Sequence, residues 1–144
     1  RACSNYCRLV RFDKLENLAF ASLRIIAGLM FATHGAQKLL GLFAAEFRPP
    51  FGSQLWIGGA IELVGGVLIA LGLFTRPLAF LAAGTMAVAY FQFHFKFQFA
   101  NSHWVPTVNE GELSALYCFV FLLIAARGSG LAALDGMRQR RRGA

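Results

Sequence analysis

Four long apolar runs constrain what this chain can fold into. They occupy about residues 18–44, 55–74, 78–99 and 113–126. A helix needs roughly 20 residues, each rising about 1.5 Å, to cross the hydrocarbon core of a bilayer. The first three runs reach that length, whereas the fourth requires a contribution from residues 128–134, a tilt or a local thinning of the bilayer. We therefore predict an all-α fold, a four-transmembrane-helix bundle.

Proline-containing breaks separate the first three runs. The sequence RPPFG at residues 48–52 does not continue a helix, because proline lacks the backbone N–H and clashes with the preceding turn. The next break, TRP at residues 75–77, predicts a tight turn in which Arg76 has a structural role. Pro77 then lies at the start of the third helix, where proline is favoured.

One segment has a misleading pattern. The sequence FQFHFKFQF at residues 91–99 alternates as strands do. A lone strand in hydrocarbon would leave its backbone groups unpaired, at several kcal/mol each. We predict instead that this segment ends the third helix, so that Gln92 pairs with Lys96 and His94 with Gln98.

The charged residues indicate topology. Only 15% of the 144 residues are charged, against roughly 25% in soluble domains, and the basic residues lie mainly near the two ends. A nucleic-acid-binding protein would carry a basic patch on a folded surface, so no nucleic acid is expected as a partner. Basic segments that flank apolar spans indicate the cytoplasmic side, which predicts an N-in/C-in, multi-pass protein.

This topology divides the chain into three parts. We expect a basic N-terminal cytoplasmic segment at residues 1–17, a membrane domain at residues 18–136 and a basic tail at residues 137–144. The expected location is the inner membrane of a bacterial-type cell. The expected partners are the lipid bilayer and other membrane protein subunits.

The three cysteines give weak signals. Cys3 and Cys7 would lie one turn apart on a helix, close enough for a metal or a redox pair. A lone CxxxC pattern is not specific, so two reduced cysteines in a cytoplasmic segment is the favoured interpretation. Cys118 lies in an apolar run and is expected to pack there.

Polar residues within the spans converge on the outer half of the membrane, except for Arg24 near the inner end of the first helix. On the predicted topology His34 lies roughly 15 Å from the outer end of its helix and Glu62 roughly 10 Å from the outer end of the next. Lys38, His94 and Glu112 belong to the same side. An ionisable group at membrane depth costs about 2.5 to 3.5 kcal/mol on insertion scales and marks a functional site by default. A structural tie between Glu62 and Lys38 or His34 is the alternative.

Small residues share the face of Glu62. Gly58, Gly65 and Gly66 lie three or four positions from it, a spacing suited to close helix contact. His34 and His94 could in principle hold a haem or a metal ion. Two lone histidines are not a ligand set, so haem is disfavoured and no metal site is expected.

The motifs together resemble those of the DoxX family of small four-helix membrane proteins. The resemblance rests on HGAQKL, IELVGGVLIALGLFTRPLA, MAVAYFQFH, NEGELSALY and LAALD, and covers most of residues 18–136. The family commonly has Asn-Gly-Gly-Glu where this chain has NEGE at residues 109–112, with the final acid, Glu112, retained. The resemblance implies a redox-associated membrane subunit, without naming a reaction.

Two hypotheses about function remain open. The first is an accessory subunit of a membrane-bound oxidoreductase or electron-transfer complex, in which a quinone, the candidate cofactor, contacts the outer-half polar cluster. Histidine and carboxylate side chains suit that role, because both exchange protons. The second is a non-catalytic structural subunit of a larger membrane complex, with the polar cluster as internal glue. A transporter is less favoured, because no inverted repeat is visible. No catalytic residue is assigned.

Overall fold

The fold is built from four helices. A computed structural model describes residues 2–43 and 48–136, with side chains from residue 13 onward. Within these residues no β-strand occurs, and the prediction of an all-α fold is confirmed. The helices are α1 (Ala2–Leu40), α2 (Gln54–Leu71), α3 (Thr75–Phe95) and α4 (Glu112–Arg127), with a 3-10 turn at Ala100–Ser102.

Three of the helices are long and apolar enough to cross a membrane. They are Asp13–Leu40 within α1, together with α2 and α3. The 16 residues of α4 rise only about 24 Å, and the helix ends where Gly128 adopts a φ of 90°. The chain is therefore an integral membrane protein with a helical bundle of about four helices, as the apolar runs predicted.

The two ends of the bundle differ in chemistry. We call the end that holds Arg24 and residues 72–76 and 127–135 the terminal end, and the end that holds Leu40 and Gln54 the loop end. The N-in/C-in prediction would place the terminal end in the cytoplasm. Helix α1 begins at Ala2 and continues without a break through residues 17 and 18. The predicted tail at residues 137–144, and the side chains of Cys3 and Cys7, lie outside the described residues.

Helices α1 and α2 come into backbone contact through glycine. A Cβ atom at Gly35 would lie 2.5 Å from the carbonyl oxygen of Gly59, and one at Gly66 would lie 2.6 Å from the carbonyl oxygen of Gly28. Small residues allow this approach, which van der Waals packing then stabilises in a membrane. Of the predicted stripe, Gly66 lies at this contact. A Cβ at Gly58 would meet nothing within 4 Å, and one at Gly65 would meet only a side-chain atom of its own helix at 4.0 Å.

The apolar core lies between the α1–α2 pair and the α3–α4 pair. Phe31 and Phe121 are fully buried there, with ring centroids 4.8 Å apart. Small residues of α3 line the opposite wall, namely Ala79, Ala82 and Ala83. Large apolar side chains cover the outer faces of all four helices and are exposed, as expected for contact with lipid.

The terminal end is closed by a buried arginine. The guanidinium of Arg24, 0% exposed, donates hydrogen bonds to the carbonyl oxygens of Ile69 (2.7 Å), Ala70 (2.7 Å), Leu131 (3.1 Å) and Ala132 (2.8 Å). Residues 128–134 therefore do not lengthen α4 but fold back over this end. The exposed Arg76 makes one long contact, at 3.5 Å, with the carbonyl oxygen of Arg127.

Asp135, which lies just after the segment that Arg24 holds at residues 131 and 132, caps the start of α3. The carboxylate of Asp135 accepts hydrogen bonds from the backbone N–H groups of Phe74 and Thr75 and from the Thr75 hydroxyl, each at 3.1 Å. Such a cap satisfies N–H groups that have no partner within the helix. The LAALD motif thus fixes the turn between α2 and α3.

The alternating segment ends the third helix, earlier than predicted. Helix α3 stops at Phe95, because Lys96 and Phe97 adopt φ values of 50° and 54°. Lys96 and Gln98 therefore lie beyond the helix, and the two predicted side-chain pairs within it do not form. The amide of Gln54 instead donates to Gln92 Oε1 at 2.6 Å.

Candidate functional site

An ion pair between α1 and α2 lies at the centre of the site. Lys38 Nζ is 2.5 Å from Glu62 Oε1. The whole of Glu62 is 2% exposed, whereas the Lys38 side chain is 35% exposed. The close approach of Gly35 to α2 brings Lys38, one helical turn further along α1, within reach of the carboxylate. This is the Lys38–Glu62 contact that the sequence offered as a structural alternative to a functional site.

The second carboxylate oxygen of Glu62 is not used by this pair. Glu62 Oε2 is buried and has no hydrogen-bond partner among the residues that the structure describes. Buried polar atoms are satisfied in the large majority of cases, and an exception needs an explanation. Glu62 therefore has one carboxylate oxygen without a partner among the described residues.

Both Glu62 and His94 lie in π-helical turns. Ile61–Gly65 and Tyr90–Phe95 are π-helical, inside α2 and at the end of α3 respectively. Single π-helical turns within α-helices are rare and are frequent at functional sites. Hydrophobic periodicity gives no signal for them, so the sequence did not indicate either one.

A cavity of about 330 Å³ with both polar and apolar side chains on its wall, which we call the polar cavity, extends from the ion pair toward the loop end. All four helices contribute to its wall. The polar side chains on that wall are His34, Lys38, Glu62, His94, Glu110, Ser114 and Tyr117. The structure thus brings together four of the five residues that the sequence indicated. The fifth, Glu112, is exposed in the first turn of α4 and does not line this cavity.

The two histidines take different positions in the polar cavity. His94 Nδ1 lies 3.2 Å from the carbonyl oxygen of Asn109, which holds the ring at the outer edge. His34 lies deeper, with its ring edge toward Tyr117 at a centroid distance of 6.5 Å. Within the described ranges, no group of three or more His, Cys, Asp or Glu side chains is arranged to hold a metal ion.

An apolar groove of about 580 Å³ lies on the other side of the ion pair, between α2 and α3. Its walls include Ile57, Phe80 and Val88, which are exposed on the outer surface of the bundle. Lys38, Glu62 and Gln54 form its polar end. Because the pair borders both spaces, an amphiphile could enter sideways from the lipid and place its polar group against Lys38 and Glu62.

Residues of α4 that the sequence did not single out complete the site. Ser114 and Tyr117 line the polar cavity, and both are buried together with Phe121 and Ile124. These four positions are spaced by three, four and three residues, which is the spacing of one helix face. The sequence of α4 does not mark this face, because the exposed positions Leu116, Phe119 and Leu123 are as apolar as the buried ones.

The chain is similar in sequence to known proteins. A model of the DoxX family matches residues 19–95. An uncharacterized protein of Haemophilus influenzae is 38% identical over 127 residues, which cover 85% of this chain and 92% of that protein. A Bacillus subtilis protein named "Putative oxidoreductase CatD" is 32% identical over 119 residues, which cover 78% of this chain and 81% of that protein. No solved structure shows significant similarity to the chain. The chain is a member of the DoxX family.

Proposed function

We propose that this protein is an accessory subunit of a membrane-bound oxidoreductase or electron-transfer complex, and that it contacts a quinone at the Lys38–Glu62 pair. The observation that carries the proposal is the position of Glu62. Its buried carboxylate borders a lipid-facing apolar groove and a polar cavity, and one of its oxygens has no partner among the residues that the structure describes.

The chemistry of the groove fits a quinone. A membrane quinone has an apolar tail and a head group with two carbonyl oxygens. Exposed apolar walls suit the tail, and Lys38 Nζ, with three donor hydrogens, can donate to a head-group oxygen while it stays close to Glu62. The free Glu62 oxygen can accept a hydrogen bond from a quinol hydroxyl, or carry a proton to and from that position.

The relatives support an oxidoreductase context. One relative carries the name oxidoreductase, and both that protein and the Haemophilus influenzae relative come from bacteria. We accordingly place the protein in a bacterial inner membrane, with other membrane subunits that supply the electron donor.

A single substitution tests the proposal. Glu62→Gln keeps the shape of the side chain and removes its charge and proton. We expect quinone-dependent electron transfer, measured in membranes that contain the assembled complex, to fall by on the order of a hundredfold, the lower part of the range for loss of a proton-transfer group. Glu112→Gln is the matched control, because it makes the same change at an exposed position outside both cavities. Equal turnover in the two variants would refute the quinone contact.

The formed ion pair also favours a second function, that of a non-catalytic structural subunit. In that case the pair holds the bundle together, and it does not matter which helix carries the positive charge and which the negative charge. Exchanging the partners, with Lys38→Glu and Glu62→Lys in one chain, keeps an ion pair of reversed sense. If the double variant assembles into the complex and supports quinone-dependent electron transfer, the structural role is favoured. If it assembles but does not support electron transfer, the quinone contact is favoured.

A further inference from the structure

The polar cavity contains two buried polar atoms without partners. Glu62 Oε2 and the Tyr117 hydroxyl are both buried, and neither has a hydrogen-bond partner within the described part of the chain. Both residues line the polar cavity. Such atoms are costly in an apolar surrounding, and both residues border a cavity that has room for water. The volume of about 330 Å³ exceeds the roughly 30 Å³ that one water molecule occupies in the liquid.

The polar cavity continues to the surface at the loop end. His94 and Glu110 line both the polar cavity and an outer cavity of about 420 Å³, which Lys96, His103 and Asn109 also line. Glu110 and Lys96 are exposed. The two cavities therefore share wall residues, one of which, Glu110, is exposed at the surface of the loop end.

The opposite direction is closed. On the side of the polar cavity that faces the terminal end lie four apolar residues, Phe31, Ile69, Phe121 and Ile124, each exposed by 1% or less. This layer separates the cavity from Arg24, which lies seven residues before Phe31 and so about 10 Å further along α1. A close-packed apolar layer of this thickness excludes water.

We propose that the polar cavity is an aqueous vestibule, open only at the loop end, through which Glu62 exchanges protons with water on that side of the membrane. The carboxyl group of Glu62 then faces water on one side and the lipid-facing groove on the other. His94 and Glu110, which lie along the route, are proton carriers between Glu62 and the surface.

The vestibule deepens the proposed function and rests on it in one respect. If a quinone binds in the groove, Glu62 exchanges the quinone's protons with water at the loop end, both when the quinone takes up protons and when it releases them. The vestibule itself does not require a quinone, so the two ideas can fail separately.

Cysteine labelling tests the vestibule in the full-length protein. The native cysteines are first replaced by alanine, and a single cysteine is then introduced into the protein. Each variant is placed in membrane vesicles with one known orientation. Ser114→Cys and Met86→Cys lie on the polar cavity, on α4 and α3. Thr85→Cys and Val88→Cys lie on the apolar groove, also on α3, so residues 85 and 86 form a matched adjacent pair. The probe is a charged, membrane-impermeant methanethiosulfonate.

The expected result is selective labelling from one side. Applied at the loop end, the probe should modify the two vestibule positions at least roughly tenfold faster than the two groove positions, because the reactive thiolate forms in water and is suppressed in apolar surroundings. Applied at the terminal end, it should modify none of the four. A lipid-soluble maleimide that labels all four variants shows that each thiol is intact, and a single symmetric peak in size-exclusion chromatography shows that each protein is folded.

Two outcomes would overturn the vestibule. Labelling of the vestibule positions at the slow rate of the groove positions would show that the cavity is dry. Labelling from the terminal end would show that the apolar layer is open. Selective labelling together with unchanged turnover in Glu62→Gln would instead refute the quinone contact and leave the vestibule standing.

Discussion

The contact at Gly35 provides a quantitative test of the bundle. A Cβ atom at this position would lie 2.5 Å from the carbonyl oxygen of Gly59 and 2.7 Å from the Cα of Leu63, whereas ordinary contacts begin near 3.4 Å. In Gly35→Ala the two helices must therefore separate by more than the roughly 0.9 Å that the Gly59 contact alone requires, because the backbone nitrogen of Leu63 lies closer still. Overpacking of this kind costs about 1 to 3 kcal/mol, and the better helix propensity of alanine offsets at most about 1 kcal/mol. We expect Gly35→Ala to lower the free energy of unfolding by about 2 kcal/mol.

The assay is reversible unfolding of the full-length protein in mixed micelles, with increasing denaturing detergent and with helix content followed by circular dichroism. Gly58→Ala is the matched control, because a Cβ atom there meets nothing within 4 Å. It should leave the stability unchanged or slightly raised. If the two variants unfold at the same detergent fraction, the backbone contact between α1 and α2 is not as close as described.

Two further predictions concern the terminal end of the bundle. Arg24→Leu removes the donor to four carbonyl oxygens and should lower the free energy of unfolding by about 3 kcal/mol or more, measured in the same assay. Arg76→Leu, at an exposed position, should change it by less than about 0.5 kcal/mol; equal losses would contradict the role of Arg24. Asp135→Ala removes the cap of α3 and should cost about 1 kcal/mol, seen as a lower midpoint of thermal unfolding. The exposed Asp13→Ala should leave that midpoint in place, and a midpoint unchanged in both variants would argue against the cap.

Much of the architecture was predictable because the bilayer limits the choices. Hydrophobic length identified the helices, and the requirement for paired backbone groups excluded a strand at FQFHFKFQF, of which residues 91–95 are helical. Depth along each helix then placed His34 and Glu62 in the same outer half of the membrane, with Lys38 on the same side, so that Lys38 and His34 were both candidate partners of Glu62. This was sufficient to predict that Lys38 and Glu62 could pair, which the distance of 2.5 Å now describes.

The site was harder to predict, because it depends on which way each helix faces. Glu112 belongs to the expected end, but it lies two positions before the buried Ser114, and two residues rotate an α-helix by about 200°. Its side chain therefore lies on the opposite face of α4 from the cavity. Gly58 and Gly59 lie four and three positions before Glu62, so spacing alone could not decide which of them contacts α1.

Backbone irregularities carried no sequence signal at all. Nothing in the sequences IELVG and YFQFHF, which form the π-helical turns around Glu62 and His94, predicts that conformation. The early end of α3 depends on left-handed conformations at Lys96 and Phe97, which neither residue type favours. Tertiary contacts at the loop end, such as that of His94 with Asn109, compensate for this cost.

The hydrogen bonds of Arg24 also impose an order on biosynthesis. Two of the carbonyl oxygens that accept from its guanidinium are 45 and 46 residues away along the chain, and the other two are 107 and 108 residues away. Synthesis proceeds from the N-terminus, so α1 carries its charge to the membrane before any of these partners has been made. A charge there costs about 2.5 to 3.5 kcal/mol on insertion scales. The first helix therefore inserts before its arginine has partners, and Leu131 and Ala132, made more than a hundred residues later, complete its hydrogen bonds.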